Sequence, residues 1–121
     1  MSKVEFIIHK NIRILLLDVS RSASVEENIA GFTEAEKLIL KEPAKSVRLL
    51  TDVTQAHYTQ QAVDAMKDFS KTITPHIKAS AAVGVGGIKK IVLQSLVRLS
   101  GRDIKMFDDR EQALDWLCQQ Q

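Results

Sequence analysis

The run Ile14-Leu15-Leu16-Leu17 restricts this chain more than any other feature: four consecutive apolar residues, opened by Ile12-Arg13 and closed by Asp18-Val19-Ser20. A strand with one wet face alternates apolar with polar residues, whereas a strand covered on both faces reads as an unbroken apolar run. The run therefore predicts a central strand. A weaker copy, Val47-Arg48-Leu49-Leu50-Thr51-Asp52-Val53-Thr54, ends the same way, in Asp, Val and a hydroxyl residue.

The residues before the central strand, Val4 to His9, include Val4, Phe6, Ile7 and Ile8 and are joined to it by Lys10-Asn11. So short a link predicts an antiparallel pair with the first strand at the sheet edge. After Ser20 the apolar period lengthens to that of a helix. Ser24 and Glu27 make a capping box, in which each side chain satisfies a backbone donor of the first turn. Val25, Ile29, Phe32, Ala35, Leu38 and Ile39 form the apolar stripe that follows, and Pro43 stops it. The second strand spans Val47 to Asp52. Its helix starts near Thr59, places Ala62, Val63, Met66, Phe69 and Ile73 on one side, and ends before Pro75. A strand of small side chains, Ile77 to Val83, then runs into the turn Gly84-Val85-Gly86-Gly87 and a helix from Ile88 to Leu99, ended by Gly101. Ile104 to Phe107 is the last strand, and Asp108 with Glu111 repeats the capping box before Ala113, Leu114, Leu117 and Cys118. Strands alternating with helices predict an α/β fold: a mostly parallel five-stranded sheet with an antiparallel N-terminal edge strand and four helices.

Composition bounds the rest. A chain of 121 residues fits one domain, 1–121, large enough to bury a core without staples. With 45% hydrophobic and 26% charged residues it is ordinary for a globular domain, and a net charge of +2 is too small to mark the whole surface as a nucleic-acid binder. Lys71, Lys78, Lys89, Lys90, Arg98, Arg102 and Lys105 form a basic half, but no aromatics are interleaved among them for stacking on bases. The lone Cys118 excludes an internal disulfide and suits a reducing interior. No apolar run is long enough for a membrane span, and Met1 to Phe6 lacks the core of a signal peptide. These observations lead us to expect a cytoplasmic protein with neither a nucleic-acid partner nor a membrane span.

The segments Leu15-Leu16-Leu17-Asp18, Leu49-Leu50-Thr51-Asp52-Val53-Thr54, Ala81-Ala82-Val83-Gly84-Val85-Gly86-Gly87, Ser100-Gly101-Arg102-Asp103 and Phe107-Asp108 with Ala113-Leu114-Asp115-Trp116-Leu117 together resemble the STAS domain of anti-sigma-factor antagonists. The likeness is strongest to its SpoIIAA-like branch of small stand-alone bacterial proteins and covers nearly the whole chain. It implies a strand-helix superhelix, a fold shared with the CRAL-TRIO lipid-binding domains. The anti-sigma-factor antagonists carry a phosphorylatable Ser in an Asp-Ser-Ser-Gly turn after the second core strand. Here that turn reads Thr51-Asp52-Val53-Thr54-Gln55-Ala56-His57, with Thr54 the nearest hydroxyl. The kinase-controlled switch is therefore not carried over.

Asp18, Asp52 and Asp108 fall at carboxyl ends of expected strands, where open α/β sheets place their ligand crevices. If Asp18 and Asp52 sit on neighbouring strands, their carboxylates can bind Mg²⁺ or share a raised pKa. The plainer reading is that each accepts hydrogen bonds from the backbone that follows it, as in an Asx turn. The Gly84, Gly86 and Gly87 turn could hold a phosphate at a helix start beside Lys89 and Lys90, or could simply be tight. It matches neither the dinucleotide fingerprint nor the Walker pattern. His9, His57 and His76 form no metal-ligand spacing with Cys118, and each is read as a surface or turn residue.

No complete catalytic constellation emerges, and no cofactor or metal is expected. The leading expectation is a non-enzymatic interaction or regulatory module whose expected ligand contacts are Asp18, Asp52, Thr54, Gly84, Gly86 and Gly87, with a protein partner and a small anionic or lipid-like ligand. The alternative is a small Mg-dependent hydrolase or phosphoryl-transfer enzyme using Asp18 and Asp52. A homodimer is also expected: Leu93 and Val97 lie on the opposite side of their helix from Ile88, Ile91, Val92, Leu96 and Leu99, inside a basic rim, as a modest interface would.

Overall fold

One sheet holds all five described strands in chain order, β1 (Lys3–His9), β2 (Ile12–Asp18), β3 (Val47–Asp52), β4 (Ile77–Val83) and β5 (Lys105–Phe107). The computed structural model describes residues 3–20, 24–54, 59–85, 94 and 104–120. β1 pairs antiparallel with β2, and every later pairing is parallel. The hairpin turn Lys10-Asn11 takes left-handed backbone at both positions, φ 51° and 67°. That is the two-residue geometry whose twist matches the strands it joins.

Three helices are described: α1 (Val25–Ile39), α2 (Gln60–Ile73) and α3 (Arg110–Gln119). Apart from residue 94, the expected helix from Ile88 to Leu99 lies outside the described residues, as do Gly86, Gly87, Leu93 and Val97. Ser24 caps α1 by accepting from the Glu27 N–H, and Thr59 caps α2 by accepting from the Ala62 N–H. α1 ends at Ile39, before Pro43, and α2 passes into a short 3₁₀ turn, Thr74–His76, that absorbs Pro75. The capping box placed at Asp108 and Glu111 is displaced by one residue: Asp109 caps α3 by accepting from the Gln112 N–H. Adjacent aspartates made the two registers equivalent by residue type. The last strand begins at Lys105, one residue later than expected.

Side-chain parity along β2 explains the unbroken apolar run. Leu15 and Leu17 join Phe32, Ala35 and Ile39 of α1 and Met66, Phe69 and Ile73 of α2 in one core. Ile14 and Leu16 face the other way, with Leu50, Ala79, Ala81 and Val83, under Ala113 and Leu117 of α3. Each such fully buried aliphatic side chain contributes about 1.5–3 kcal/mol. The small residues of β4 let α3 settle closely on the sheet. Arg48 of β3 donates to the carbonyls of Leu117 and Gln120 at 3.0 and 2.8 Å, placing a cation at the negative end of α3. Among the described residues no helix is long and apolar enough to cross a membrane.

Candidate functional site at the carboxyl edge of the sheet

The same parity fixes the site. Asp18 follows Ile14 and Leu16 at even spacing, and Asp52 follows Leu50, so both carboxylates project towards α3. The register pairs Asp18 directly with Asp52 on neighbouring parallel strands. Both are almost fully buried. Two carboxylates so close cannot remain ionised away from water without a cation or donors.

Each carboxylate divides its oxygens between two tasks. Oδ1 of Asp18 accepts from the Ser20 N–H at 2.9 Å and from the Ser20 hydroxyl. Oδ1 of Asp52 accepts from the Thr54 N–H at 3.0 Å and from the Thr54 hydroxyl at 2.7 Å. These are the two Asx turns that the repeated Asp-Val-Ser and Asp-Val-Thr allowed. The Oδ2 atoms turn to Arg110, which donates from Nη2 to Asp18 at 2.6 Å and from Nε to Asp52 at 2.9 Å. One guanidinium thus bridges both carboxylates. Burial alone would push the Asp18 carboxyl up, but the Ser20 and Arg110 hydrogen bonds outweigh it and hold the group below its ordinary value. Burial works against the Arg110 charge as well, and the two aspartates raise its pKa regardless.

Gly84 completes the edge. Its φ is +81°, and a Cβ there would lie 2.1 Å from Thr54 Oγ1 and 2.7 Å from the Thr54 Cα and N. A glycine is required because the β4 exit passes directly over the β3 exit. The structure therefore gathers Asp18, Asp52, Thr54 and Gly84 at one edge. Asp108 is exposed, whereas Arg110, two residues on, supplies the charge that the sequence reading missed. One signal was present: a basic residue in the first turn of a helix runs against the helix dipole and calls for an acidic partner.

Two other expectations can be placed. His76 donates from Nδ1 to the Glu42 carbonyl at 2.8 Å, as a turn residue would. His9 is not isolated: its Nε2 lies 2.8 Å from Asp115 Oδ1, and Lys10 Nζ lies 2.9 Å from the same oxygen. On the α1 and α2 face, a cavity of about 40 Å³ lies among Phe32, Met66, Phe69 and Ser80. That is room for one or a few water molecules.

Comparison with known proteins places this architecture. The family model described as SpoIIAA-like matches residues 9–118. A solved structure of an uncharacterised protein from the DUF3478 family, with a SpoIIAA-like fold, from Shewanella loihica PV-4, superposes with a TM-score of 0.73. That likeness covers 97% of this chain and 94% of the other at 16% identity, and so speaks to the fold alone. No curated protein matches significantly.

Proposed function

The chain belongs to the SpoIIAA-like family, and from that premise we propose that it is a non-enzymatic STAS-type interaction module that works through protein contacts. One observation carries this reading: both oxygens of Asp18 and both of Asp52 are engaged by Ser20, Thr54 and Arg110. A hydrolase or phosphoryl-transfer enzyme would need these carboxylates to hold Mg²⁺ or to accept a proton. Either task would have to compete with the Ser20 and Thr54 turns or with Arg110 for the same oxygens. Among the described residues, Asp18, Asp52 and Arg110 together carry a net negative charge, which disfavours an anion bound directly against them. Support for a small anionic ligand therefore rests on the glycine turn and on Lys89 and Lys90 in the sequence.

Adding Mg²⁺ and a nucleoside triphosphate should leave the Ser20 and Thr54 amide resonances in place and release no phosphate. Saturable shifts at both amides, with phosphate released by the wild type and not by Asp18→Asn, would overturn the proposal. Self-association through the Ile88 to Leu99 segment is part of the same reading and is supported by the spacing of Leu93 and Val97. Replacing both by Ser should move the sedimentation coefficient towards monomer, and a wild type that sediments as a monomer at high micromolar concentration contradicts the dimer.

A further inference from the structure

A second group of chemistry-bearing side chains lies at the opposite, amino end of β2. β1 ends at His9, and the tight Lys10-Asn11 turn places His9 opposite Ile12. On α3, Glu111 and Asp115 are four residues apart and so share one helix face. His9 Nε2 lies 2.8 Å from Asp115 Oδ1 and 4.0 Å from Glu111 Oε1. One donor atom from each of the three lies within 4.8 Å of the others. The His9 side chain is only 17% exposed, and the His9 backbone carbonyl accepts from the Cys118 thiol at 3.2 Å. The imidazole is therefore held by the fold, while Glu111, 74% exposed, is at liberty to swing in.

We propose that His9, Glu111 and Asp115 form a binding site for a divalent transition metal of the zinc class, from which Lys10 is displaced when the ion binds. An imidazole nitrogen with two carboxylate oxygens is a borderline donor set, suited to Zn²⁺, Co²⁺ or Mn²⁺ and poor for Ca²⁺. An ion bonded at about 2.1 Å to each donor in a tetrahedron needs donors about 3.4 Å apart. His9 and Asp115, at 2.8 Å, must separate slightly to reach this, and the exposed Glu111, now 4.0 Å from His9 and within 4.8 Å of Asp115, must swing in towards both. Three protein ligands leave a fourth position for water. Lys10 Nζ, 2.9 Å from Asp115 Oδ1, already supplies a positive charge to one of the donors. The ammonium and the ion therefore compete for one carboxylate, and this competition separates a metal site from a plain network of surface ion pairs. A bound ion would tie the β1–β2 hairpin to α3 and stabilise the chain increasingly as the free ion concentration rises above the dissociation constant.

The test is calorimetric titration of the whole chain with ZnCl₂ alone, with the histidine ring nitrogens followed by NMR. Expected are one Zn²⁺ per chain, a coordination shift at His9 Nε2 with the His57 and His76 rings unmoved, and affinity reduced about tenfold or more by Glu111→Gln. Glu111 is exposed, so that variant folds normally and isolates the ligand role even if His9→Gln destabilises the hairpin. Lys10→Gln should tighten binding. Absence of binding at high micromolar Zn²⁺, ring shifts at His57 or His76 in place of His9, or affinity unchanged in Glu111→Gln would overturn the site. Affinity unchanged in Lys10→Gln would overturn the competition.

Discussion

Helix α3 serves two carboxylate clusters, and the contrast between them is instructive. At its first residue, Arg110 reaches Asp18 and Asp52, both almost fully buried, whose remaining oxygens are capped by turns. From the next residue, Glu111, and from Asp115 one turn beyond it, a second pair of carboxylates faces His9 and Lys10 where water has access. Burial decides what each cluster must do. The inner pair had to be satisfied completely for the chain to fold. The outer group is under no such demand, and its cations can be exchanged at little cost.

The largest expected effects fall on the inner cluster. Gly84→Ala puts a Cβ 2.7 Å from the Thr54 backbone at a positive φ, and should cost about 3 kcal/mol in chemical denaturation. Retention of wild-type stability would mean that the two strand exits do not cross as described. Arg110→Ala leaves two buried carboxylates facing each other without their cation. Removing one partner of a fully buried pair costs about 3–5 kcal/mol, and the 41% exposure of the Arg110 side chain lowers the expectation to about 2 kcal/mol. Arg110→Lys should recover part of this loss, because a lysine restores the charge but not the fork that spans both oxygens.

How much of this was legible in the sequence follows from where the constraints lie. The central strand was readable because Ile14 to Leu17 form a short unbroken apolar run flanked by charged residues, as a strand buried on both faces does. The matching ends, Asp18-Val19-Ser20 and Asp52-Val53-Thr54, announced two like turns, and two like turns formed. Their pairing across the sheet was not readable, since it depends on β2 and β3 being neighbours in register. Arg110 was harder still: it lies 92 residues from Asp18, and only its awkward place at a helix start hinted at a distant acid. His9 and Asp115 illustrate the same limit, because the hairpin turn and α3 meet only once the sheet has formed.

A smaller effect concerns the pH dependence of the inner cluster. Asp18 has a folded pKa below its ordinary 3.8, so its contribution is fully present above that value and is lost as the pH falls through the lower, folded one. Denaturation midpoints measured on acidification below 3.8 should fall more steeply for the wild type than for Asp18→Asn. Equal slopes would remove Asp18 from the acid sensitivity. The smallest effect is expected outside: Lys10→Gln, which removes a cation from Asp115 in water, should leave the denaturation midpoint within error. A clear loss there would make the outer cluster as structural as the inner one, and the contrast would fail.

The claim that Arg110 and the two turns close the inner carboxylates is tested most directly by a site-resolved NMR titration of the Asp18 carboxyl in the wild type and in Arg110→Ala. The closed arrangement predicts titration below 3.8 in the wild type and a higher value once the guanidinium is gone. A wild-type Asp18 that titrates at or above 3.8, or one that Arg110→Ala leaves unmoved, would contradict it.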